Sequence, residues 1–386
     1  MSAVTRPPVD EAVLDAIDTF CRETLEPLAA EVDAKGLFAT CHLPALAGLG
    51  IMGLNLPAEY GGAELDAFTL FEAIARIAGA CASTASMVTA HFLAADSIRF
   101  GGDEAQKARY LAGAASGERL GAFALTEPGA GSNPLDMTTL ARREGDGYRL
   151  KGVKHFISNA GAADFLVVYA KTDPQAGAKG LSAFVVEPGE GVSVGPAERT
   201  MGLKGGHVFE VALDLHVVEA SRLGPEGSGF RTALKTLDPG RLDIAACAVG
   251  IADAAFARAC DWANSRKVGG APIAEFQGLQ WMLADMATDI AAARGLARLA
   301  SEKRAAGERF SLEASMAKLY ATEMVARVAD QALQIHGGYG YMSDLPLERY
   351  TRDARVLRIF EGSSEVQRNI IARYALADNA PRPVGR

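Results

Sequence analysis

Phe165-Leu166-Val167-Val168-Tyr169 decides how this chain is read. Five apolar residues, β-branched or aromatic at four positions, stop at polar and turn-forming neighbours, which predicts a short buried strand. Phe184-Val185-Val186 repeats the signal, the two runs together being bounded by Gly, Pro and Asp, and Val208 to Val218 alternates in part, with Val211, Leu213 and Leu215 on one side. No helical pattern separates these runs. The zone from Leu120 to about Val218 therefore predicts a small antiparallel barrel or sandwich rather than βαβ units.

Outward from that zone the period changes on both sides. From about Asp10 to Ser116 the pattern is helical, with alanine-rich stretches at Phe71 to Ala80 and Ala85 to Phe100, punctuated by Gly61-Gly62 and Gly101-Gly102. From Leu237 the helical period returns. Leu242, Ala245, Val249, Ala252 and Phe256 form one apolar stripe, and Leu279, Met282, Met286, Ile290, Ala293 and Leu296 a second. Met316, Leu319, Met324, Val328 and Ile335 contribute to a third. Long amphipathic helices joined by short turns predict an antiparallel bundle. The expected class is a multi-domain α+β chain: a helical domain over 1–119, a β-barrel or sandwich domain over 120–234, and a four-helix bundle over 235–386.

The 386 residues are 49% hydrophobic, enough for sizeable cores, yet no run approaches the roughly 18 apolar residues that span a bilayer. Met1 to Asp10 carries Arg6 and two prolines but no apolar stretch, so no secretory signal is expected and the cytoplasm is. A net charge of −8 argues against nucleic acid as a partner. Five cysteines without CxxC spacing read as reduced thiols, and six histidines show no metal-ligand spacing, so no metal is expected.

The usual nucleotide and nucleophile signatures are missing: no GxxxxGK[ST], no GxGxxG after a strand, no GxSxG. Two segments stand out. Thr126-Glu127-Pro128-Gly129-Ala130-Gly131-Ser132 puts a hydroxyl at each end of a glycine-rich turn whose N–H groups can approach a ligand, although a plain connection fits it equally well. The other runs from Arg352-Asp353-Ala354-Arg355 to Ile359-Phe360-Glu361-Gly362-Ser363-Ser364-Glu365. There Ser363 or Ser364 can cap a final helix, with Glu365 in its first turn. Glu361 follows an apolar pair, and a carboxylate in such surroundings has its pKa raised, which suits a general base. A surface glutamate is the plainer alternative. His336-Gly337-Gly338-Tyr339-Gly340-Tyr341 reads by itself as a helix C-cap and turn.

Together these segments resemble the acyl-CoA dehydrogenase family along nearly the whole chain. One signature is similar to Phe123-Ala124-Leu125-Thr126-Glu127-Pro128-Gly129-Ala130-Gly131-Ser132. A second is similar to Gln334-Ile335-His336-Gly337-Gly338-Tyr339-Gly340-Tyr341, continuing through Arg352-Asp353-Ala354-Arg355 to Arg368. The resemblance implies FAD between the β-domain and the C-terminal bundle, with Phe123, Leu125, Thr126 and Ser132 lining flavin and thioester. Phe156, Ile157 and Ser158 match a segment beside the flavin ring, a β-domain core aromatic being the alternative for Phe156. Arg266 matches an arginine that reaches the FAD pyrophosphate of a neighbouring subunit. Phe276, Gln277, Gln334, Gly337 and Gly338 match contacts to the adenosine half, and Ser363, Ser364 and Glu365 a last cofactor stretch. Ser132, Asp238, Arg241 and Gly362 match positions beside the acyl-CoA, a helix-surface charge being the alternative for Arg241.

By the same resemblance Glu361 takes the α-proton of an acyl thioester while flavin accepts the β-hydrogen. A ribityl hydroxyl and the Glu361 N–H stabilise the developing enolate oxygen. The implied product is a trans-2-enoyl-CoA, with electrons passed to an electron-transfer flavoprotein and the chain assembled as a homotetramer or homodimer. Gly240 fills the position where isovaleryl-type and long-chain members carry their base. Other stretches point to short or branched acyl groups of the isobutyryl or butyryl type. An acyl-CoA oxidase, a desulfinase-type member and a non-catalytic assembly partner are the alternatives. Two positions depart from the common pattern: Gly269 stands where a Phe is usual, removing an aromatic contact beside the cofactor, and Asn133 where an Asp is usual.

Overall fold

The computed structural model describes residues 9–378; residues 1–8, most of the stretch read for a secretion signal, lie outside them. Six helices come first: α1 Glu11–Phe20, α2 Glu26–Lys35, α3 Leu43–Gly48, α4 Ala67–Ala80, α5 Ala82–Gly101 and α6 Glu104–Ser116. Asp66 caps α4 by accepting from the N–H groups of Phe68 and Thr69, and Asp103 with Gln106 forms a capping box on α6. Helix α5 is buried over most of its length, from Ala82 to Ile98, as befits a central helix.

Eight strands follow: β1 Gly121–Ala124, β2 Leu140–Glu144, β3 Gly147–Ser158, β4 Phe165–Lys171, β5 Leu181–Val186, β6 Val192–Val194, β7 Val208–Val218 and β8 Arg222–Leu223. They pair in the order β6-β7-β3-β2-β4-β5-β8, with β1 beside β4. The sheet is mixed, because β1 and β2 both run parallel to β4. That corrects the purely antiparallel expectation. The strand alternation marks which residues are buried but not which neighbour a strand chooses. Leu166 to Tyr169 are fully buried, and Phe165 and Tyr169 pack against the helical layer while Leu166 and Val168 face the other side of the sheet.

Helix α7, Gly229–Ser265, opens the last part. A small hairpin, β9 Lys267–Val268 and β10 Ala271–Pro272, leads to α8 Gln277–Ala305 and α9 Ser311–His336. The one-turn α10 Gly338–Tyr341, then α11 Leu347–Leu357 and α12 Ser364–Asp378, complete the described chain. Helices α7, α8 and α9 pack with α4 through small residues: Ala245, Ala252 and Ala259 of α7 face Ala314, Ala317 and Ala321 of α9 in one continuous core. Met316 and Leu319, expected in the third stripe, are only half-buried, and the alanines take their place. Close helix approach selects small side chains over large ones there. The Arg352 guanidinium, held by Asp33 and Glu348, and the Asp353 carboxylate, accepting from the Leu203 N–H at 2.6 Å, tie α11 to the first and middle parts. Among the described residues no helix is long and apolar enough to cross a membrane.

Candidate active site

After α11 ends, the N–H groups of Ile359 and Phe360 fold back on the Val356 carbonyl. Glu361 and Gly362 then turn left-handed, with φ of 51° and 92°. The second value favours glycine, and a side chain there would run into Gln367. Ser363 accepts from the Val366 N–H at 3.4 Å, so α12 starts at once with Glu365 in its first turn. Ser364 donates instead to Glu323 at 2.6 Å. Two carbonyls of the turn, those of Phe360 and Gly362, accept from the Lys318 ammonium at 3.1 and 2.7 Å. Gln367 donates to the carbonyls of Glu361 and Gly362 at 3.4 and 3.0 Å.

The turn aims the Glu361 side chain at α7. A Cβ on Gly240 would lie 2.8 Å from Glu361 Oε2 and 2.7 Å from Leu93 Cδ2, so only glycine leaves room for the carboxylate. Pro239, inside α7, has no N–H to give the helix and marks the same place. Asp238 binds Arg241 and Ser311 by short contacts. Arg241 is 5% exposed, which rules out the surface-charge alternative. Glu361 Oε2 is buried without a hydrogen-bond partner. Burial, with the Asp243 charge adding to it and Lys318 and Arg241 opposing, pushes the Glu361 carboxyl up to about 8. Asp243, one turn beyond Gly240, is likewise driven up to about 8 by burial. A buried carboxyl that titrates near neutrality, with one oxygen unpartnered, can exchange a proton with a bound molecule.

The Thr126 turn lies against β3. Glu127 and Ala130 exchange backbone hydrogen bonds at 3.2 and 3.1 Å, and His155 donates its N–H to the Thr126 carbonyl at 2.9 Å. Beneath them Lys154, 0% exposed, donates to Glu127 at 2.9 Å and to the Leu125 carbonyl at 3.1 Å. Burial works against the Glu127 carboxylate, but Lys154 and the donors of Thr138 and Thr139 hold it at about 2. Pairing of β3 with β7 slips between Lys154 and Ile157, and Phe156 sits on this bulge at φ 58°, 59% exposed. It is therefore not a core aromatic. Ser158 is half-buried beside it, and Ser132 is exposed on the turn. Ile157 and Leu125 point into the core, and Phe123 leans on Tyr169 at 5.2 Å between ring centres, so their side chains back the surface more than they form it. Asn133 accepts from the Leu135 N–H at 3.3 Å, the bond an aspartate would make.

A second cleft, of about 520 Å³, opens at the far end of α7, lined by Trp262, Arg266, Ile335, His336, Gly337, Gly338 and Tyr339 among others. Trp262 stacks on His336 at 4.9 Å, and the Arg266 guanidinium lies 5.6 Å from the Tyr339 ring centre. Gln334 caps this end through its carbonyl, which takes the Gly337 N–H at 3.0 Å; its side chain, like Phe276 and Gln277 at the start of α8, is exposed outside the cleft. Gly269 and Gly270 form the β9–β10 turn, both with positive φ (64° and 89°), and open space surrounds both. Glycine at 269 is thus the residue this tight turn favours. Lys318, Asp243 and Trp262 are not legible in the sequence as site residues.

Three family models match in order: the N-terminal domain of acyl-CoA dehydrogenase over residues 7–118, the middle domain over 122–215 and the C-terminal domain over 227–376. A short-chain specific acyl-CoA dehydrogenase of Clostridium acetobutylicum is 40% identical over 94% of this chain and 96% of its own. The structure of butyryl-CoA dehydrogenase from Megasphaera elsdenii superposes with a TM-score of 0.93 at 37% identity, covering 96% of this chain and 99% of that one. A chain in a structure described as the electron transferring flavoprotein of Acidaminococcus fermentans, toward a mechanism of electron bifurcation, gives 0.94 at 38% identity over 97% and 99%. The buried glutamate, the glycine facing it and the flanking turn belong to a chain that these models cover almost end to end, and it is a member of the acyl-CoA dehydrogenase family.

Proposed function

We propose that this FAD-dependent oxidoreductase dehydrogenates a short or branched acyl-CoA to its trans-2-enoyl-CoA, with Glu361 as the base. The observation that carries the assignment is the Glu361 carboxylate, buried with an unpartnered oxygen in the space that Gly240 leaves open.

The chain fits the cofactor at two places. The cleft at the end of α7 combines Arg266, which can grip a pyrophosphate bidentately, with the aromatic faces of Trp262 and Tyr339 and open backbone at Gly337 and Gly338. On the β-domain the exposed Phe156, with Ser158 and Thr126 near it, offers an aromatic and polar wall for the isoalloxazine. Bound FAD supplies the acceptor for the β-hydrogen. Glu361 takes the α-proton, and its own N–H donates to the thioester oxygen as enolate charge develops. Asp238 and Arg241, locked to one another, shape the acyl-CoA side with Gly362 and Ser132, while Ser363, Ser364 and Glu365 border the cofactor. Phe276, Gln277 and Gln334 supply the outer rim toward the adenosine. The short-chain relatives support a small acyl group, and the bifurcation-related structure supports an electron-transfer flavoprotein as acceptor. Exposed Trp281, Tyr341, Met342 and Phe276 give the C-terminal part an apolar surface suited to a homotetramer or homodimer. Five cysteines, none in a disulfide, suit the cytoplasm.

Anaerobic mixing of the holoenzyme with a panel of acyl-CoAs tests the reading. Short or branched members should bleach the flavin, and Glu361→Gln should slow that reduction by about 10²–10⁴-fold with FAD still bound. Wild-type reduction in that variant would refute Glu361 as base.

A further inference from the structure

The two carbonyls that Lys318 holds flank the catalytic candidate on either side. Lys318 lies on α9, 0% exposed, and no carboxylate stands within ion-pair distance of it among the described residues. Its ammonium reaches the carbonyls of Phe360 and Gly362. A trans peptide is planar, with C=O and N–H pointing opposite ways. The Phe360 carbonyl and the Glu361 N–H belong to one such plane. Pulling that carbonyl toward α9 turns the Glu361 N–H away from it, and no acceptor among the described residues takes this N–H. A cation on the carbonyl end also polarises the amide and makes its N–H a stronger donor.

We propose that Lys318 is a positioning residue for the reaction: its grip on the Phe360 and Gly362 carbonyls turns the Glu361 N–H toward the thioester oxygen and fixes the carboxylate opposite Gly240. The inference rests on Glu361 being the base. One side chain then sets both halves of the chemistry, the donor to the oxygen and the acceptor of the α-proton. The left-handed Glu361-Gly362 pair needs such support, because an L-residue at φ 51° is held there by its surroundings.

Lys318 also acts through its charge. Glu361 is faced by Asp243 and Arg241 from α7 and by Lys318 from α9; burial lowers the Lys318 ammonium to about 8, with Arg241 adding to it and Glu361, Glu323 and Glu365 opposing. Burial and Asp243 push the Glu361 carboxyl up, and Lys318 pulls it down. Without the ammonium, Glu361 loses its proton only at still higher pH, so the acid limb of the rate profile moves to higher pH.

The test uses Lys318→Met and Lys318→Gln as FAD holoenzymes, with butyryl-CoA for anaerobic reduction across the neutral to alkaline range. Crotonyl-CoA serves as a bound enoyl probe whose thioester C=O stretch is read by difference Raman. Lys318→Met should reduce about 100-fold more slowly, with its acid limb at higher pH and the C=O stretch of bound crotonyl-CoA shifted back toward the free value. Lys318→Gln keeps a donor without the charge, so it should recover part of the rate and of the Raman shift but not the pH profile. Wild-type rate, profile and C=O frequency in a folded Lys318→Met would overturn the proposal. If that variant does not fold, the same three results in Lys318→Gln overturn it. Glu361→Gln run alongside separates the two readings: wild-type reduction there refutes the base and Lys318 with it. An inert Glu361→Gln beside unaffected Lys318 variants refutes the positioning alone.

Discussion

Among the described residues two lysines are fully buried, and they do different things. Lys154, under the β-domain turn, reaches one carbonyl and one carboxylate, so its charge is matched at 2.9 Å by Glu127. Lys318, under the Glu361 turn, reaches two carbonyls and no carboxylate. The first is a closed electrostatic unit that pins the turn to β3. The second leaves its field directed at Glu361, whose carboxyl burial raises and this ammonium lowers. The same residue type in the same degree of burial builds scaffold in one place and tunes chemistry in the other, according to whether the partner charge is bonded.

The largest effect that would test this contrast is on stability. Lys154→Met leaves Glu127 buried and unpaired, and should cost about 3–5 kcal/mol in denaturant unfolding. Adding Glu127→Gln to it should return part of that loss. A loss under about 1 kcal/mol would mean that Lys154 and Glu127 are not a closed unit.

A smaller effect separates the two glutamates by the sign of their pH dependence. Glu127 is held below its ordinary value, so its contribution is present above about 4.5 and fades as pH falls toward about 2. Glu361 is raised, so its contribution is present below about 4.5 and is lost as pH rises through about 8. Glu361→Gln should therefore stabilise the protein relative to wild type at alkaline pH, on the order of 1–3 kcal/mol, with little difference in acid. Glu127→Gln should destabilise it at neutral pH. Melting curves of the two variants that changed in parallel with pH would erase the distinction.

The smallest effect sharpens the tuned side. Asp243→Asn removes an acid that raises Glu361, so the acid limb of kcat/KM should move roughly one pH unit lower. That is opposite in direction to the Lys318 variants. An unmoved limb would leave Asp243 without electrostatic reach to the base.

The order of helices, sheet and helices is legible in the sequence because period is a local property, and Leu242, Val249, Met286 and Ile290 are buried where their stripes place them. Glu361 is legible from its apolar neighbours and the glycine after it. Lys318 is not, because a lysine on an amphipathic helix reads as solvated. A signal was present all the same: it stands four residues after Ala314 and three before Ala321, on the face those alanines bury. The parallel pairing of β1 and β2 with β4 depends on contacts across dozens of residues and leaves no local trace. Gly269 looks like a lost aromatic contact by position, whereas the turn geometry explains it.

Helix α7 carries one more consequence. It runs unbroken from Gly240, against the Glu361 carboxylate, to the edge of Arg266 and the aromatic cleft. Those positions are 26 residues apart, so at 1.5 Å per residue the rod holds them about 39 Å from each other. That exceeds the reach of a single extended dinucleotide. On the reading proposed above, the two ends of one α7 would border two different cofactor molecules rather than one. Flavin retention is then expected to fall on dilution, which gel filtration of the holoenzyme at decreasing concentration checks.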